Sequence, residues 1–225
     1  CNSNTKEQLT MAKRHSWQDD YWLMLMQLYL RQPVGVKPMY SRSMVNLALE
    51  IHVPPLTLYE KMFRLRQIDT PRMEKLWQRY GKSPQRLAAT VRRLRQMKGF
   101  GSKGGFFDGV EVEETFERDF RPLAEDQRLT PVMLILILDL YFRLTPLTMV
   151  TKTPEVQELA NLMHIPSQLV IDVMRVFQGC DPYLTRNAVA DSPLKNSCKL
   201  VWRHYGNSDT QQLACYVEQL KEYFK

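Results

Sequence analysis

The chain has 225 residues, with 31 Lys and Arg against 24 Asp and Glu and a net charge of +7. With 44% hydrophobic and 24% charged residues it has an ordinary globular composition, which excludes a collagenous or low-complexity chain. Its longest apolar run, residues 131–142, is broken by Asp139 and is shorter than the roughly 20 residues that span a bilayer, so no membrane partner is expected.

The charge is unevenly placed. Residues 1–100 carry 18 Lys and Arg against 7 Asp and Glu, whereas residues 101–225 carry 13 against 17. A basic half joined to a mildly acidic half points to a polyanion partner for the first half alone.

Residues 1–16 read as a basic N-terminal arm, with Lys13 and Arg14 just ahead of the first helix. The cysteines Cys1, Cys180, Cys198 and Cys215 include no CxxC pair. That usage fits a reducing, cytoplasmic compartment. The alternative is a lipid-anchored chain, with "CNSN" as the processed end of a lipoprotein.

"SWQDDYWLMLMQLYLRQP" opens on Ser16 as a candidate N-cap, with Asp19 and Asp20 in the first turn, and keeps a helical period up to Pro33. "PVGVKPM" is a loop. Ser41 or Ser43 caps a second helix, "MVNLALEI", which "VPP" breaks, and Pro54 or Pro55 starts a third, "LTLYEKMFRLRQI". Asp69 and Pro71 punctuate before a fourth helix, "RMEKLWQRY", which Gly81 ends. Ser83 and Pro84 begin a fifth, "QRLAATVRRLRQMK".

The next stretch is a Gly-rich then acidic linker at 99–128. "GFGSKGGFFDG" lacks the order and the strand context of a phosphate loop. "GVEVEETF" allows a short hairpin or a single strand within an acidic connector.

The remainder repeats the beginning. Shifted by 112 residues, "LMLMQLYLR" (23–31) lies over "ILILDLYFR" (135–143), and "LALEIHVPP" over "LANLMHIPS". Beyond an insertion, "LWQRYGKS" (76–83) matches "VWRHYGNS" (201–208) and "RLAATVRRL" (86–94) matches "QLACYVEQL" (212–220). The reading is an internal duplication. No stretch of either copy alternates as a strand does, so the fold class is all-α. It comprises two tandem helix-turn-helix-like helical domains, copy one at 17–98 and copy two at 129–225.

With those residues in view, the chain resembles the helical domain found ahead of some bacterial HNH-type endonucleases. Trp17, Leu28, Tyr29, Pro33, Gly35, Leu47, Ala48, Lys61, Met62, Leu65 and Asp69 carry the match in copy one, and copy two follows it more weakly. As a whole the chain resembles a bacterial family built of tandem copies. The resemblance implies a DNA-associated helical domain. It implies no nuclease activity, because no HNH motif occurs here.

The residues point to no enzyme. His52 and His164 sit at equivalent corners and read as structural. Cys198, His204 and Cys215 lack the spacing of a zinc finger, so neither a metal nor a cofactor is expected. The expected function is non-enzymatic DNA binding, DNA being favoured over RNA. The third helix presents Thr57, Lys61, Arg64 and Gln67 opposite its core face, with Arg66 beside them. The fifth adds Arg86, Arg92, Arg93, Arg95 and Lys98. Copy two lacks most of these cations, which suits a protein partner or self-association. The alternatives are a scaffold of helical repeats and a regulatory subunit of a nuclease system.

Overall fold

A computed structural model describes residues 17–97, 99–100, 115–184 and 192–225. Its described residues are all-helical, with eleven α-helices and no strand. They fall into two compact units. The first takes in 17–39 and 43–100, and the second 40–42 and 115–225.

The first unit is built on α1 (Tyr21–Leu30), α2 (Arg42–Ile51), α3 (Pro55–Gln67), α4 (Pro71–Tyr80) and α5 (Pro84–Gln96). Pro occupies the first helical position of α3, α4 and α5. There its fixed φ suits the helix and its missing N–H costs no bond. The Thr70 hydroxyl accepts from the Met73 N–H at 3.3 Å and so caps α4. Helix α1 is buried on most sides, from Tyr21 through Met26 and at Leu28, and packs against α3 and α5. Leu58, Met62 and Leu65 of α3 and Leu87 and Val91 of α5 face that core. Each such side chain withdrawn from water contributes roughly 1.5–3 kcal/mol.

The second unit holds α6 (Thr115–Asp119), α7 (Pro131–Arg143), α8 (Pro154–Met163), α9 (Ser167–Cys180), α10 (Lys195–Val201) and α11 (Thr210–Lys221). A π-helical turn, Trp202–Gly206, continues α10. Helix α7 is enclosed by α9, α10 and α11, and even Asp139 is buried there. The stretch from residue 115 to 128, part of the acidic connector in the sequence reading, holds α6 and packs into this unit, with Glu117, Phe120 and Leu123 buried.

Several local arrangements occur in both units. Tyr29 meets Trp77 edge-on at 5.7 Å, and Tyr141 meets Trp202 at 6.0 Å. His52 and His164 both take the left-handed conformation, with φ of 54° and 56°, where their helices end. Gly81 and Gly206 each stand against the preceding tryptophan. A Cβ at Gly81 would lie 2.6 Å from the Trp77 carbonyl oxygen, and one at Gly206 would lie 2.8 Å from the Trp202 ring.

Candidate nucleic-acid interface

The sequence places candidate contacts on two helices of the first unit, and the structure treats the two differently. On α3, Lys61 Nζ sits 5.0 Å from the Trp17 ring centroid and 5.4 Å from that of Trp22. Burial there lowers its pKa below the ordinary lysine value, and the charge of Arg64 lowers it further. The Arg64 guanidinium faces the Asp69 carboxylate at 3.5 Å. Thr57 is half-buried, while Arg66 and Gln67 are exposed. Two residues along a helix turn the direction by about 200°, so Arg66 points away from the side that carries Arg64. Glu60 is exposed on the same helix. The outward surface of α3 is therefore of mixed charge, and two of its cations are already engaged.

Helix α5 is different. Arg86, Arg92 and Arg93 are exposed, and none has an ion-pair partner among the described residues. Arg86 and Arg93 are seven residues apart, which is two turns and about 10.5 Å along one side of the helix. The Arg86 guanidinium lies 5.8 Å from the Tyr80 ring centroid, and that of Arg79 at the end of α4 lies 5.5 Å from the same ring. Tyr80 is only 6% exposed, while Arg79 and Arg86 are themselves exposed to solvent. Lys82, in the turn between α4 and α5, is also exposed.

Arg95 departs from this group. Its Nε and Nη2 donate to the two Glu50 carboxylate oxygens at 2.6 and 3.1 Å, a bidentate pair across to α2. Lys98, Lys13 and Arg14 lie outside the described residues.

Four of the six described acids of this unit are engaged away from these cations, and Asp20 and Glu60 form no ion pair with them. Asp19 pairs with Arg72, Glu50 with Arg95 and Asp69 with Arg64, and Glu74 accepts from Gln78. Among the described residues, Arg79, Lys82, Arg86, Arg92 and Arg93 are exposed cations of α4, α5 and the turn between them that form no ion pair; Arg86 and Arg93 leave α5 on one side, and Arg92 leaves it about 120° round from Arg86. Sequence reasoning missed Arg79 and Lys82. The signal was available in "RYGKSPQR", where a short turn brings Arg79 and Arg86 near one tyrosine.

The chain matches no family model, no curated protein and no solved structure. At the positions that the sequence repeat aligns with Arg79, Lys82, Arg86, Arg92 and Arg93 stand His204, Asn207, Gln212, Glu218 and Gln219, all exposed. Glu218 is held by Lys221 at 2.5 Å, which lowers its pKa. Thr90 is replaced by Tyr216, which joins an aromatic cluster within the second unit. Its ring lies 5.9 Å from those of both Tyr40 and Tyr205, and burial pushes its hydroxyl pKa well above the usual value. Among the described residues, no group of three His, Cys, Asp or Glu side chains is placed to hold a metal, and no helix is long and apolar enough to cross a membrane.

Proposed function

We propose that this chain is a non-enzymatic DNA-binding protein built from two copies of one helical domain, and that the first copy holds the phosphate backbone through the α4–α5 surface. The observation that carries the reading is the set of five exposed cations, Arg79, Lys82, Arg86, Arg92 and Arg93, with no acidic partner among the described residues. Guanidinium groups are suited to phosphate oxygens, because their planar fork donates paired hydrogen bonds and keeps its charge at any ordinary pH. The matching helix order, the paired Tyr–Trp contacts and the two left-handed histidines support the duplication.

Duplex is favoured over single strands, because the ring nearest the cations, Tyr80, is buried and offers bases no stacking face. In this reading α3 contributes little phosphate binding, since Lys61 and Arg64 are occupied. Contacts that are mainly to phosphate carry little sequence preference.

The test is a fluorescence-anisotropy titration of labelled duplex and single-stranded DNA at low salt. Duplex should bind more tightly, Arg86→Glu with Arg93→Glu should abolish binding, and Asp172→Ala in the second unit should leave it unchanged. Equal binding by the double variant overturns the proposal.

A further inference from the structure

Away from these cations, α1 and α2 of the first unit line a half-open cavity of about 230 Å³ with Arg95 of α5 on its rim. Its walls are two stripes at helical spacing, Met24, Gln27, Leu28 and Arg31 on one side and Ser43, Asn46, Leu47 and Glu50 on the other. Met24, Leu28 and Leu47 are buried and form an apolar floor. Above them stand two side-chain amides, Gln27 and Asn46, and the Arg31 guanidinium. None of these three side chains has a hydrogen-bond or ion-pair partner among the described residues. The backbone carbonyl of Arg31, by contrast, is fixed by the Lys37 ammonium, which donates to it at 2.7 Å.

The second unit shows how such an arginine is otherwise satisfied. Helix α7 ends "LYFR" as α1 runs into "LYLR", and Arg143 Nη2 reaches the buried Asp139 carboxylate, four residues earlier, at 2.9 Å. Four residues before Arg31 the chain has Gln27, which is neutral. Among its lining residues the cavity thus carries one uncompensated positive charge, Arg31, with the Lys37 ammonium beside it. The other charges on its wall, Arg95 and Glu50, cancel each other in their bidentate pair.

We propose that this cavity binds a small organic monocarboxylate. Arg31 takes the carboxylate, the Gln27 and Asn46 amides orient it, and a short apolar body lies on Met24, Leu28 and Leu47. The positive charge in the site selects an anion. The volume is below the roughly 300–1,000 Å³ of pockets for drug-sized molecules, so a nucleotide is too large. The apolar floor separates an organic acid from inorganic phosphate, which would leave that floor uncovered. The inference does not depend on the nucleic-acid reading.

The test is an NMR titration of the full chain, methyl-labelled at Met and Leu, with benzoate, and with inorganic phosphate and benzylamine as comparison probes at constant ionic strength. Benzoate should give saturable shifts at Met24, Leu28 and Leu47, and phosphate and benzylamine should bind about tenfold more weakly or not at all. Arg31→Gln should weaken benzoate by about tenfold or more. Gln27→Asp should remove binding without unfolding the chain, because it recreates beside Arg31 the carboxylate that Arg143 has. Arg86→Gln should leave benzoate binding unchanged while lowering DNA affinity, which keeps the two proposals separable. Absent or non-saturating shifts, phosphate binding as tightly as benzoate, or Gln27→Asp binding like the parent chain would each overturn the inference.

Discussion

Salt dependence distinguishes an α5-centred interface from an α3-centred one. Each phosphate neutralised on duplex DNA releases condensed counterions, so log K falls with log salt at about 0.9 per contact. If all five cations of the α4–α5 surface reach phosphates, the slope is about −4.5, and raising salt from about 50 to 200 mM weakens binding roughly 500-fold. Arg86→Gln removes one contact and should bring the slope to about −3.6. Arg93→Gln, two turns along the same side, should do the same. Lys61→Gln and Arg64→Gln should leave the slope where it was, because Lys61 is held over Trp17 and Trp22 and Arg64 faces Asp69. Anisotropy titrations of a labelled duplex across a salt series measure all five slopes. A parent slope near zero refutes phosphate binding by the surface. A loss for Lys61→Gln or Arg64→Gln equal to that for Arg86→Gln refutes the assignment of the contacts to α5.

Three further outcomes are expected. His164 is exposed and left-handed at the end of α8, where glycine is the unstrained residue, so His164→Gly should stabilise the second unit by about 0.5–1 kcal/mol, read as a melting temperature several degrees higher; a lower melting temperature contradicts this. Gly81→Ala and Gly206→Ala should each destabilise by about 1–3 kcal/mol in denaturant titrations, because the Trp77 backbone oxygen and the buried Trp202 ring, packed on Tyr141 and Phe177, leave a Cβ no room, and an unchanged midpoint contradicts this. Burial raises the Asp119 carboxyl pKa, outweighing the opposing charges of Arg118 and His204. Stability linked to that raised pKa is fully present below the unfolded value of about 3.9 and is lost as pH rises through the folded one. Asp119→Asn should therefore raise the melting temperature at neutral pH, with the gain vanishing near pH 3; a gain independent of pH excludes the ionisation as its cause.

Helix limits were largely legible in the sequence. Pro55, Pro71, Pro84, Pro131 and Pro154 each stand at the first position of a helix, a place few other positions allow proline to take. The core faces of α3 and α5 followed from the spacing of Leu58, Met62 and Leu65 and of Leu87 and Val91. Side-chain partners were not legible, because helical spacing says which way a cation leaves its own helix and nothing about what meets it. Lys61 looked solvent-facing because its partners, Trp17 and Trp22, lie about forty residues away in sequence. Arg95 was grouped with Arg92 and Arg93, although Glu50, on a different helix, holds it in a bidentate pair. In the acidic stretch around Glu117, charge density concealed Phe120 and Leu123, whose burial ties that stretch to the second unit.

On the proposed duplication, the two units separate what the fold requires from what a ligand requires. Leu87 and Val91 of α5 have buried counterparts in Leu213 and Val217 of α11, so the inward pattern is the same in both. The outward positions differ, since Arg86, Arg92 and Arg93 give way to Gln212, Glu218 and Gln219 without altering that core. Positive charge at these positions is thus unnecessary for folding. Clustering it is unfavourable in itself, because like charges on neighbouring turns repel, and no acid among the described residues relieves the repulsion. A folded surface that carries such a cluster is stabilised whenever a polyanion covers it, by mass action on the folded state alone. Packing gives the first unit no reason to retain five unneutralised cations, and binding phosphate gives it one.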